Sequence, residues 1–192
     1  MTSFLRRQLR PAITLLIVLT VITGFAYPAA ILAVAQVVFP SQANGSLIVV
    51  DGKTVGSSLI GQAFDQPTYF WGRPSAAGKG NDASSSGASN LGPTSQALID
   101  RITQQVDQLR AANGNAPIPV DLVTTSASGL DPDISPAAAE YQVGRVAAAR
   151  GMSVDAVRQA VARHTTQPFL GFIGEARVNV LALNLDLDGL LR

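Results

Sequence analysis

Residues 11–39 read PAITLLIVLTVITGFAYPAAILAVAQVVF, and no charged residue stands between Arg10 and Asp51. The polar interruptions are Thr14, Thr20, Thr23 and Gln36, with Gly24 and Pro28 as kink points. An uncharged run of forty residues is foreign to a soluble surface, where about one residue in four is charged. As a helix these 29 residues would extend about 43 Å at about 1.5 Å each, against a hydrocarbon core of about 30 Å. The stretch therefore predicts a transmembrane helix over residues 11–31, with a helical tail emerging to about residue 39 and stopped at Pro40. Tyr27 and Phe39 suit interfacial positions.

Arg6, Arg7 and Arg10 precede the run, and the next basic residue is Lys53. By the positive-inside rule residues 1–10 are expected in the cytoplasm and residues 41–192 on the far side, in the periplasm or outside the cell. A cleaved secretory signal is the competing reading, because Ala33-Val34-Ala35 matches a small-x-small cleavage site. The apolar stretch before it exceeds the usual signal core of about 7–15 residues, so a retained anchor is favoured. Once the first ten residues are set aside, eleven basic and thirteen acidic residues remain. That balance argues against nucleic-acid binding, and the apolar run argues against a cytosolic enzyme. The chain has no cysteine, which is compatible with export.

Downstream of the run, Leu47-Ile48-Val49-Val50, Asp51-Gly52 and Lys53-Thr54-Val55 predict a β-hairpin with a type I′ turn. Residues 72–96 are rich in Gly, Ser, Asn and Ala and read as a long loop. Leu98, Ile102, Val106 and Leu109 recur at helical spacing between Thr94 or Ser95 as cap and Gly114 as terminator. Pro119–Thr125 is expected to be a short strand. Ser135-Pro136 should start a helix running to Arg150 and ending at Gly151. Ser153 caps another, with Val154, Val157 and Val161 on one face and His164 near its end. Val178–Leu190 alternates as a strand would and then spaces Leu181, Leu185 and Asp188 as a helix would, so both readings stay open. The fold class is α+β: one N-terminal transmembrane helix, then a single mixed domain with a long Gly/Ser-rich loop.

Little self-sufficient chemistry is visible. A phosphate-binding P-loop needs Gly-x-x-x-x-Gly-Lys-Ser/Thr, but around Gly78-Lys79 the frame begins at Arg73 and ends at Gly80. His164 is the only histidine, and at a helix end it reads as a partner of the C-terminal dipole. Gly87-Ala88-Ser89-Asn90-Leu91 lacks the second glycine of a nucleophile elbow. Asp131 with Asp133, and Asp186 with Asp188, read as turn and cap residues rather than acid/base pairs. No catalytic or metal-ligating set emerges.

Several blocks stand in a familiar order. They are Phe39-Pro40-Ser41-Gln42-Ala43-Asn44-Gly45-Ser46-Leu47-Ile48 after the apolar run, Gly56-Ser57-Ser58-Leu59-Ile60-Gly61-Gln62, and Tyr69-Phe70-Trp71-Gly72-Arg73-Pro74-Ser75. Ser86-Gly87-Ala88-Ser89-Asn90-Leu91-Gly92-Pro93 and Val120-Asp121-Leu122-Val123-Thr124-Thr125-Ser126-Ala127-Ser128-Gly129-Leu130-Asp131 follow. Ile134-Ser135-Pro136, Gln142-Val143-Gly144-Arg145-Val146-Ala147 and Val178-Asn179-Val180 complete the series. Their collinear sum, over nearly the whole chain, resembles the KdpC family, the C subunit of the bacterial potassium-transporting ATPase. Ala88, Asp133 and Gly144 depart from that family's usual glycine, His or Asn, and proline.

The resemblance implies a non-catalytic accessory subunit of a P-type potassium import pump in the bacterial inner membrane. Its partners would be a channel-like potassium subunit (KdpA type), the ATPase subunit (KdpB type) and a small peptide subunit (KdpF type), beside membrane lipid. Potassium is then the transported ion, and no covalently bound cofactor is expected. The family role is that of a catalytic chaperone that promotes ATP binding by the ATPase subunit and stabilises the complex. The carry-over places nucleotide contact on Ser126, Ser128, Gly129 and Gln142. The arginine asymmetry puts those residues outside the cytoplasm, so the effect on ATP is expected to be indirect, with Ser126–Gly129 acting as a tight turn. Subunit contact is expected at Thr23, Gly24 and Gln36 in the helix and at Arg73 and Asn90 in the long loop. Alternative readings are a gating or ion-gathering module over the potassium entrance, with loop oxygens facing the ion, and an anchored exported domain without a transport role.

Overall fold

The computed structural model describes residues 2–190, with side chains from residue 7 onward. Met1, Leu191, Arg192 and the Arg6 side chain of the basic cluster lie outside the described residues. The chain divides into two compact units, Met1–Leu47 and Ile48–Arg192.

In the first unit α1 (Thr2–Val21) passes through a π-helical turn, Ile22–Ala26, into α2 (Tyr27–Val38). Arg7–Val38 is the one stretch, among the described residues, long and apolar enough to cross a membrane, and none of it is buried inside the protein. The wide turn has a local cause. Pro28 has no N–H to donate, and its ring would press on the carbonyl of Gly24 in a regular α-helix. The backbone slips by one residue instead, and the Tyr27 N–H reaches the Ile22 carbonyl. The Thr23 hydroxyl bonds back to the Leu19 carbonyl at 2.7 Å. Phe39 leaves the helical region at φ −135°, ψ 57°, and Pro40 opens one further turn, α3 (Pro40–Ala43).

The second unit is mixed α+β. A hairpin joins β1 (Leu47–Val50) to β2 (Lys53–Ser57). Asp51 and Gly52 sit at φ +49° and +76°, both positive as a type I′ turn requires. No helix or strand interrupts residues 58–95 among the described residues. The segment is nevertheless packed, because Phe70 and Ala77 are fully buried. Next come α4 (Gln96–Asn113), closed by Gly114 at φ +85°, and a 3-10 turn over Val120–Leu122. The expected strand over Pro119–Thr125 is therefore corrected. Leu122 is the segment's buried anchor, Val120 is 71% exposed, and Asp121 spends its carboxylate on Ser135 N and Oγ at 2.7 and 3.2 Å.

A small antiparallel sheet of order β3-β5-β4 is formed by β3 (Asp133–Ile134), β4 (Thr165–Thr166) and β5 (Arg177–Asn179). Ile134 and Thr165 both face Val178 across the ladder. Helix α5 (Pro136–Arg150) begins where Ser135 Oγ accepts the Ala138 N–H at 3.0 Å. It ends on Gly151 at φ +63°, where Met152 N–H bonds to the Ala147 carbonyl. Ser153 caps α6 (Val154–Arg163) through Ala156 N–H. Val157 and Val161 are buried there, whereas Val154, expected on the same face, is 40% exposed. The two readings of the last segment both apply in turn, since β5 ends at Asn179 and α7 (Val180–Leu187) starts beside it. The core gathers Phe70, Leu109, Leu122, Val143, Val178 and Leu183 from these elements.

Candidate functional site

Two buried amides organise the centre of the second unit. Phe70-Trp71 runs between α5 and α7, so the backbone groups of successive residues need partners supplied by side chains. Asn184 takes the Phe70 N–H at 2.8 Å and donates to the Phe70 carbonyl at 3.0 Å. Gln142 does the same for Trp71 at 2.8 and 3.1 Å. The Gln142 amide also donates to the Ala138 carbonyl and accepts from Arg145 Nη2 at 2.7 Å, which uses both donors and both acceptor positions.

Arginines close the clamp. Arg145 bonds to the Pro67 and Tyr69 carbonyls and to Asn113, and its guanidinium lies 4.1 Å from the centre of the Trp71 ring. Burial pulls its pKa down to about 10, so the group remains charged at neutral pH. Arg150 bonds to the Thr68 and Leu187 carbonyls, pairs with Asp188 at 2.7 Å and lies over Tyr69. The hydrogen bond to Asp188 holds the Tyr69 phenol above its ordinary pKa.

Beyond Trp71 the chain reaches Arg73, where two clefts meet. One, of about 640 Å³, is lined by Leu59, Arg73, Ser126, Ser128 and Asp131 among others. The second, of about 260 Å³, adds Asp121, Asp133, Glu175 and Arg177. Arg73 Nη1 pairs with Asp131 Oδ2 at 2.9 Å, while its buried Nε has no partner among the described residues. Asp133 pairs with Arg177 at 3.0 Å, yet burial raises its pKa beyond what Asn179 and Arg177 offset.

Ser126–Gly129 forms a tight turn beside the first cleft. Gly129 N–H bonds to Ser126 Oγ at 3.0 Å, and Leu130 N–H bonds to Ser128 Oγ at 3.1 Å. Gly129 lies at φ +67°, and a Cβ there would fall 2.6 Å from the Gly87 carbonyl oxygen and 2.7 Å from Ala77 N. The Gly/Ser-rich loop is sewn to this turn through Gly87 N–H to the Ser128 carbonyl and Ser75 Oγ to the Gly129 carbonyl.

Of the residues singled out in the sequence, Arg73, Ser126 and Ser128 line one cleft, with Gly129 in the turn beside it. Gln142 is wholly buried, and Asn90 is exposed at φ +51°. Thr23, Gly24 and Gln36 belong to the helical unit, where Gln36 exchanges amide hydrogen bonds with Asn44. The carboxylate pairs are ion-paired: Asp186 meets Arg163 at 2.7 Å and His164 at 3.1 Å. Among the described residues no group of three or more His, Asp and Glu is placed to hold a metal ion. Sequence reading missed Asn184, Arg145 and Arg150; the signal for the first was an amide set inside the apolar run Leu181–Leu187.

Comparison with known proteins matches residues 9–189 to the family model described as K+-transporting ATPase, c chain. The Potassium-transporting ATPase KdpC subunit of Polaromonas naphthalenivorans (strain CJ2) is 60% identical, covering 97% of this chain and 96% of the relative. The subunit of the same name from Bradyrhizobium diazoefficiens is 59% identical, covering 95% and 96%. That from Sorangium cellulosum (strain So ce56) is 60% identical, covering 95% and 97%. With nearly all of the apolar helix and the clamped Phe70-Trp71 segment inside the matched span, the chain belongs to the KdpC family, the c chain of the K+-transporting ATPase.

Proposed function

We propose that the second unit of this potassium-pump subunit lies outside the cytoplasm and promotes ATP binding by the ATPase subunit indirectly, favouring one conformation of the assembled pump. Coupling of that kind needs only that the subunit bind two states of the pump with different affinity. The observation that carries the reading is the state of Gln142: its amide is fully buried and all its hydrogen-bonding positions are taken within the protein. Ser126 Oγ and Ser128 Oγ each accept a backbone N–H of their own turn. Arg7 and Arg10 before the apolar helix support the orientation.

The absence of cysteine makes the test direct. Ser84→Cys in the exposed loop should react with a membrane-impermeant maleimide in intact cells whose outer envelope has been opened. Labelling only after lysis would overturn the topology. In the assembled pump, Ser126→Ala with Ser128→Ala should leave the ATP concentration for half-maximal rate within about twofold; a rise of about tenfold would show direct contact.

A further inference from the structure

Between β4 and β5 the chain makes a projecting turn, Pro168-Phe169-Leu170-Gly171-Phe172-Ile173-Gly174. Phe169 and Leu170 are each 69% exposed, Phe172 75% and Ile173 51%. By side-chain size they present roughly 500 Å² of contiguous apolar surface, near the upper end for a patch on a monomer. The backbone beneath them is already paired. Phe169 and Ile173 exchange N–H···O bonds at 2.9 Å, Phe172 N–H bonds to the Phe169 carbonyl, and Gly171 N–H bonds to that of Pro168. Leu170 stands at φ +54° and Gly171 at φ +81°. Asn, Asp or Gly is the usual first residue of such a turn, and a leucine there strains the backbone while adding an apolar side chain at the apex.

We propose that this tip is an anchor that inserts into an apolar pocket on another subunit of the potassium-transporting ATPase. Residues 165–176 contain no Lys, Arg, Trp or Tyr, and their one charged residue is Glu175. Attachment to anionic lipid relies on basic residues, which this stretch lacks, and its one charge is acidic. Two tips meeting between copies of this chain would bury about 500 Å² a side, short of the roughly 800 Å² a side of a stable pair. A plug of that size suits an assembly held by further contacts, where a few central aromatic and aliphatic side chains dominate the binding energy. The inference rests on membership of a multi-subunit pump.

The test places a photoreactive benzophenone amino acid at position 172 of the full chain within the intact complex. Illumination should join it to another pump subunit. An adduct with lipid, an adduct with a second copy of this chain, or no adduct would each overturn the proposal. In parallel, Phe172→Asp should reduce retention of the chain by the detergent-extracted complex by about tenfold or more, and unchanged retention would count against the anchor. Failure of the wild-type chain to co-purify with the pump would instead strike at complex membership.

Discussion

Asn184 and Gln142 show how much of this fold hangs on single side chains. Each replaces a β-ladder neighbour for one residue of the Phe70-Trp71 segment. Asn184→Leu keeps the volume but strands the Phe70 N–H and carbonyl in a dry site. The expected loss is about 2–4 kcal/mol, or roughly 5–15 °C in thermal midpoint. A calorimetric midpoint within a degree of wild type would contradict the clamp. Asp186 makes a different prediction. Its hydrogen bond to Arg163, aided by His164, holds the carboxyl below its ordinary range against a desolvation that pushes the other way. A depressed folded pKa stabilises the protein above the unfolded value, about 3.9, and that stability disappears as the pH falls through the folded value. Asp186→Asn should therefore lower the midpoint at pH 7 and flatten its decline below about pH 4; an unchanged acid slope would exclude this ion pair as its source.

At the scale of elements, local signals succeeded where the chain satisfies itself. Ser135 and Ser153 accept backbone N–H groups at 3.0 and 3.2 Å, and Gly114 and Gly151 close helices at positive φ. The expected strand at Pro119–Thr125 failed because its fate depends on Asp121 meeting Ser135, fourteen residues away, and on Leu122 entering a core built by other segments. The ambiguous C-terminal run was decided by Asn179, whose Oδ1 accepts the Ala182 N–H while its Nδ2 donates to Asp133 and Ser58. Helix α5 carries one weakness. Gly144 is exposed in its middle, and a Cβ there would meet nothing within 4 Å. Gly144→Ala should stabilise the domain by about 0.5–1 kcal/mol, read as a shift in denaturant midpoint at constant slope. A decrease would mean that the glycine serves a contact made only in the complex.

For the molecule as a whole, the division at Leu47 has an energetic content. Every residue of the main hydrophobic cluster lies between Phe70 and Leu183, so the second unit owns its core. The helical unit buries none of its apolar span within the protein and leaves Leu16, Phe25 and Val37 exposed. A fragment starting at Ile48 should therefore remain soluble without detergent and unfold in one cooperative transition, checked by circular dichroism during thermal or urea unfolding. Aggregation or a gradual, non-cooperative melt would show that the core needs the helical unit.

By itself the sequence determined the apolar helix, the mixed α+β character and the family, because composition, periodicity and collinear blocks are properties of neighbours along the chain. It also announced the hairpin at Asp51-Gly52 and the caps, whose physics is confined to a few adjacent residues. Only the tertiary structure decided that Gln142 is spent on Trp71, that Arg145 and Arg150 grip the segment Pro67–Tyr69, and that Gly129 abuts Gly87 and Ala77. Those partners are 42 to 82 positions apart. Their pairing follows from burial, which forces every polar group taken out of water to find a mate wherever the fold supplies one.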